Sequence, residues 1–156
     1  MSRLDSKYNL MCIPLLLALW ILACAMGGRV PAFDPAISLA ELETLCRLPA
    51  PCGAPLECAG RTVTIRGYVD SRNIFNKQIS PRTPYEKFRL VDKKGRAIEV
   101  WAQSADTKPI FDKLAGRPSD DIRVTGRLES FDMPITGRCV RGIKMVIDHA
   151  SQIQFQ

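Results

Sequence analysis

Arg61-Thr-Val-Thr-Ile-Arg-Gly-Tyr-Val69 is the stretch whose reading decides the fold. Val63, Ile65 and Val69 alternate with Thr64, Arg66 and Tyr68, the period of a half-buried strand. Gly67 takes an inward place, where a missing side chain lets a strand bend or bulge. The pattern returns some sixty residues later, where Val124-Thr-Gly-Arg-Leu128 echoes Ile65-Arg-Gly-Tyr-Val69. Two bent strands of one kind, with two shorter strands and a helix between them, point to a small closed barrel.

Outward from this stretch the elements follow in order. Ser71 to Pro84 carries Arg72, Lys77, Arg82 and two prolines and reads as a long loop. Tyr85 to Asp92 alternates, with Phe88 and Leu90 on one side and Lys87 and Arg89 on the other. Asp92-Lys-Lys-Gly-Arg96 is a turn, and Ala97 to Ala102 is its partner strand. Asp106 to Ala115 spaces Ile110, Phe111 and Leu114 as a helix does, with Pro109 in the first turn and Gly116 as the stop. Asp121 to Ser130 is the fourth strand, Phe131 to Arg138 a loop, and Ile143 to Ile147 the fifth strand. A short piece, Ser151 to Phe155, follows. Upstream, Ser38-Leu-Ala-Glu41 fits a capping box for a helix over Leu39 to Cys46, ended by Pro49 and Pro51.

This order of strand, long loop, hairpin, helix, strand, loop and strand resembles the OB-fold, a five-stranded Greek-key barrel. The resemblance runs from about Gly60 to Ile153 and is similar to the OB domains grouped with nucleic-acid-binding proteins. It implies an all-β fold with one or two short helices. Function does not follow from it, because the fold hosts unrelated sites.

The N-terminus speaks of location. Arg3 and Lys7 precede the uncharged stretch Tyr8 to Gly28, as in a secretory signal. Ile21-Leu-Ala-Cys24 resembles a bacterial lipobox, which implies cleavage before Cys24 and lipid on its thiol. The alternative is an uncleaved anchor, since a span needs about 20 apolar residues. Both place the rest outside the cytoplasm, on the periplasmic side of the cell envelope. Ala25, where many lipoproteins kept at the inner membrane have aspartate, favours the outer membrane by that resemblance. The organisation expected is therefore signal peptide 1–23, tether 24–37, helix and cysteine-rich segment 38–58, and OB-fold barrel 59–156. The tether residues Ala25 to Ile37 are rich in Gly and Pro and reach at most about 45 Å.

The 156 residues carry 22 basic and 16 acidic groups, net +6. Removing Arg3, Asp5 and Lys7 with the signal leaves 20 basic and 15 acidic groups, +5. Such a balance favours anionic partners or membrane surface. Of six cysteines, Cys12 leaves with the signal and Cys24 takes lipid, so Cys46, Cys52, Cys58 and Cys139 remain for two disulfides. A zinc site is disfavoured, because no C-x-x-C pair occurs. In an OB barrel the end of strand four comes near the beginning of strand one. The resemblance therefore implies Cys58–Cys139 with Cys46–Cys52; Cys52–Cys139 with Cys46–Cys58 is the alternative.

No nucleophile–base pair is apparent, and the reading is of a protein without enzymatic activity or cofactor. Asp70, Asp92 and Glu99 have no metal-binding spacing. His149, the single histidine, admits a haem or metal carrier. The haem chaperone of cytochrome c maturation is similar in being a membrane-anchored OB-fold, but no tyrosine follows His149 here. With Ile65, Phe88 and Ile98 inward, Arg66, Tyr68, Lys87, Arg89 and Trp101 face outward as a basic, aromatic ligand face. The leading expectation is a lipid-anchored envelope binding module for a protein, glycan or anionic polymer. A binder of single-stranded nucleic acid is the alternative.

Overall fold

The computed structural model describes residues 35–77, 81–82, 85–115, 117 and 120–156. The expected signal peptide, the expected lipobox with Cys24 and most of the expected tether lie outside these residues. Among the described residues there are seven strands and two short helices: α1 (Leu39–Cys46), β1 (Ala50–Pro51), β2 (Thr62–Phe75), β3 (Glu86–Val91), β4 (Ala97–Ala102), α2 (Lys108–Ala115), β5 (Asp121–Ile135), β6 (Arg138–Ile147) and β7 (Ile153–Phe155). The sheet order is β1-β6-β4-β3-β2-β5-β7, and β6 also pairs with β5. The pairings β6-β4-β3-β2-β5 therefore return to β6, a closed circuit of five strands with α2 between β4 and β5. That connectivity is OB-like.

The circuit closes because two long strands change partner, and each does so at its glycine. β2 pairs with β5 over Thr62 to Tyr68 and with β3 from Tyr68 onward, with a register shift between Val69 and Ile74. β5 pairs with β2 up to Arg127 and with β6 from Arg127 to Ile135. A Cβ on Gly67 would lie 2.8 Å from the Val91 carbonyl oxygen, and one on Gly126 would lie 2.6 Å from that of Val146. Backbone occupies the space a side chain would need, so each crossing requires glycine.

Inside the circuit the alternating residues form one core. Ile65, Phe88, Leu90, Val100, Leu128, Met145 and Ile147 are fully buried. α2 adds Ile110, Phe111 and Leu114 to this core. α1 begins with the expected capping box: Glu41 N donates to Ser38 Oγ, and Ser38 N to Glu41 Oε2. It buries Leu39, Leu42 and Cys46 along one face. Before it, Ile37 joins β2 by a parallel bridge to Ile65, with Ile37 N to Thr64 O at 2.8 Å and Arg66 N to Ile37 O at 3.1 Å.

Three sequence expectations are corrected here. The Ser71–Pro84 loop is strand as far as Phe75. The loop expected over Phe131 to Arg138 is a hairpin arm, in which β5 and β6 stay paired out to Ile135↔Arg138. Pro134 fits because Leu128 bonds Gly60 and Arg61 on the β2 side, so even-numbered residues turn their backbone to the open edge. The leading disulfide pairing falls for the same reason. Cys139 sits six residues from Met145, the partner of Leu128, hence about 20 Å out along the arm. Cys58 lies at the Leu128 level, through the Gly60 N to Leu128 O bond. The bonds are Cys46–Cys58 and Cys52–Cys139. β1 places Pro51 opposite Val140, which brings Cys52 to Cys139.

Candidate functional site

The outer faces of β3 and β4 build the site by simple alternation. Lys87↔Trp101 and Arg89↔Glu99 are cross-strand partners. The inward residues between them, Phe88, Ile98 and Val100, are buried. Next to this face the β5–β6 arm and the end of β2 enclose a groove of about 350 Å³. Phe75, Lys87, Arg89, Glu99, Phe131 and Met133 line it, among others. Phe131 is held in place by its partner Gly142, whose missing Cβ leaves room for the ring; a Cβ there would be 2.8 Å from Phe131 Cζ.

Lys87 is the centre of this face. Its side chain is only 15% exposed, and its ammonium makes a salt bridge to Glu99. The same ammonium lies 4.8 Å from the Tyr85 ring centre, 5.5 Å from that of Trp101 and 5.7 Å from that of Phe75. Trp101 Nε1 donates to Glu99 Oε2 at 2.9 Å. Burial pushes the Glu99 carboxyl up, but the bonds from Lys87 and Trp101 outweigh it and hold the group below the usual range. Glu99 is therefore ionised at neutral pH.

The neighbouring cations share one carboxylate. Lys144 stands 4.0 Å from the Trp101 ring centre and pairs with Glu129 at 3.5 Å. Arg127 pairs with that carboxylate at 2.6 Å. Arg89, exposed on the groove, is the cation of this face with no ion pair among the described residues.

Of the five expected ligand residues, Lys87, Arg89 and Trp101 come together here. Arg66 and Tyr68 do not join them. They line a separate basin, with Arg66 Nε on Asp121 Oδ2 at 2.8 Å. The cause is register: β2 meets β3 with Tyr68 opposite Val91, beside the β3–β4 turn, and with Phe75 opposite Lys87 at the other end of β3. The groove residues missed in the sequence are Phe75, Glu99, Phe131, Met133 and, beside Trp101, Lys144. Glu99 and Lys144 carried a signal, being on the outward parity of their strands. His149 is exposed, at the start of a 3-10 turn over Ala150–Gln152. No group of three or more His, Cys, Asp or Glu able to hold a metal occurs among the described residues. No helix there is long and apolar enough to cross a membrane.

Fold and face together define a β-rich protein of OB-like connectivity with one groove beside its β3–β4 surface. No protein-family model and no curated protein matches the chain. Among solved structures, it is similar to an OBody, NL8, bound to hen egg-white lysozyme, at 18% identity and a TM-score of 0.43 over 62% of this chain and 93% of that one. It is also similar to Rim1, a mitochondrial single-stranded DNA-binding protein of S. cerevisiae, at 12% identity and a TM-score of 0.42 over 62% and 92%.

Proposed function

We propose that the protein is a non-catalytic binding module of the bacterial cell envelope, an OB-fold barrel held to its membrane by lipid on Cys24. The groove beside β3–β4 receives the ligand. The observation that carries this reading is the groove's chemistry: apolar Phe75, Phe131 and Met133 around Lys87 and Arg89, on the face and beside the arm that OB-folds use for binding. Two disulfides suit an oxidising compartment and support the location.

A protein segment fits the groove better than a nucleic acid strand. Lys87 is matched by Glu99, and Lys144 and Arg127 share Glu129, so two carboxylates that would repel phosphates offset two of these three cations. The Trp101 ring is already engaged by Lys144 and, at 4.9 Å, by Tyr85. Titrating the purified protein with oligo-dT at two salt concentrations tests this. Weak binding that Trp101→Ala leaves unchanged is expected. Tight binding that falls steeply with salt, and loses about 1–3 kcal/mol in Trp101→Ala, would favour the single-stranded nucleic-acid reading. A haem arm, read by absorbance with His149→Ala as control, tests the carrier alternative.

A further inference from the structure

We propose that the turn between β3 and β4 docks the domain on anionic phospholipid headgroups of the membrane that holds Cys24. This rests on the lipid-anchored reading above. The turn Asp92-Lys-Lys-Gly-Arg96 borders the basin of about 500 Å³ that Ala36, Ser38, Arg66 and Tyr68 also line. Asp92 Oδ1 accepts from Lys94 N at 2.8 Å and Arg96 N at 3.0 Å, and Gly95 supplies a φ of +81°. This bracing leaves Lys93 and Lys94 exposed at the tip.

The carboxylates nearby are already occupied. Glu41 accepts from Ser38 N at 2.7 Å and Ser38 Oγ at 2.8 Å, Asp92 from Arg96 Nε at 2.7 Å, and Asp121 from Arg66. Lys93 and Lys94 have no ion pair among the described residues; Glu41 is bonded only by the neutral Ser38, so the rim keeps two unpaired cations against one unpaired carboxylate.

The position of the chain entry selects the occupant. Ala36 lines the same basin, and ten residues separate Cys24 from Pro35. Fully extended, they reach at most about 36 Å. A compact domain of this length has a radius of gyration of about 14 Å, so the tether is about as long as the domain is wide. The face where the chain enters is then the face most often turned to the bilayer. Each lysine beside an anionic leaflet favours contact about fivefold, so two, with Glu41 opposing them, favour it between about fivefold and about thirtyfold. That is too little to recruit a free protein, but it orients one whose anchor already supplies a high local concentration.

The test uses the full lipidated chain in phosphatidylcholine vesicles and in vesicles that also contain phosphatidylglycerol. Lysines are acetylated under limiting reagent and mapped by mass spectrometry, with exposed Lys108 as reference. Acetylation of Lys93 and Lys94 should slow about tenfold in the anionic vesicles at low salt, and recover in high salt. Equal rates in both vesicles would overturn the docking while flotation of the chain with either kept the anchor. A chain that failed to float with the neutral vesicles would overturn both.

Discussion

Gly126→Ala puts a methyl group where β5 leaves β2 for β6. The new Cβ would lie 2.6 Å from Val146 O, 2.6 Å from Met145 Cγ and 2.9 Å from Ile147 Cγ2, against ordinary contact from 3.4 Å. Two of these neighbours belong to buried side chains, and the third is backbone. The strands must therefore part by about 0.8 Å at the Arg127↔Val146 rung. Overpacking of this kind costs about 1–3 kcal/mol. A weakened ladder bond adds about 1 kcal/mol. Alanine returns about 0.5–1 kcal/mol through its smaller loss of chain entropy. The net is about 2 kcal/mol, or a fall in Tm of roughly 6–12 °C for a domain of this size. Gly95→Ala is the control, since its Cβ meets nothing within 4 Å and only the φ of +81° opposes it. Asparagine tolerates that conformation, so Gly95→Asn should recover most of the loss, whereas Gly126→Asn should be worse than Gly126→Ala. Urea melts of the oxidised protein read all four variants. A Gly126→Ala protein within about 0.5 kcal/mol of the parent would refute the crossing argument.

The paired change Cys52→Ala with Cys139→Ala opens a cross-link of 87 residues. Chain entropy sets its loss at about 4.6 kcal/mol, against about 2.9 kcal/mol for the 12-residue Cys46–Cys58 link, to which Cys46 and Cys58 add lost core packing. Urea melts of the two variants check this. Burial pushes the Glu86 carboxyl up, but Lys77 N at 2.8 Å and the Thr107 hydroxyl outweigh it and leave the group below its usual value. Its stabilisation is therefore present above the unfolded carboxylate range and lost as pH falls through the lower folded value. Thr107→Val should cost about 1.5–3 kcal/mol at neutral pH and flatten that acid dependence, read as stability against pH. Cys24→Ser should block processing and lipid labelling; unchanged mass and labelling would leave the uncleaved anchor standing.

Where the side-chain pattern was local, the sequence was legible. Ser38 and Glu41 bound each other as their spacing implied, and α1 covers the expected Leu39–Cys46. β4 runs over the expected Ala97–Ala102, because Ile98 and Val100 alternate with Glu99 and Trp101. The pattern failed where a strand has little core behind it. Asp132 to Ile135 are all exposed, so the arm is held by its ladder and by Cys52–Cys139 rather than by buried side chains. That one misreading hid Phe131 and Met133 from the site and Cys139 from its partner. Arg66 and Lys87 show a second limit. Alternation tells inside from outside, but it does not give the register, which sets Tyr68 opposite Val91 and Phe75 opposite Lys87 and so leaves Arg66 and Lys87 at opposite ends of β3.

The Ile37–Ile65 bridge determines how the molecule bears a pull on its N-terminal chain. Ile37 runs parallel to β2, so tension drawn back along that chain loads its two hydrogen bonds in shear, together, instead of one after the other. If they yield, α1 can unravel only as far as Cys46, where the covalent link to Cys58 hands the load straight to the start of β2. Unravelling the helical residues Leu39 to Leu45, from about 1.5 Å to at most about 3.6 Å each, releases roughly 15 Å of slack before the circuit of strands feels any force. The first helix thus acts as a mechanical fuse in series with the domain.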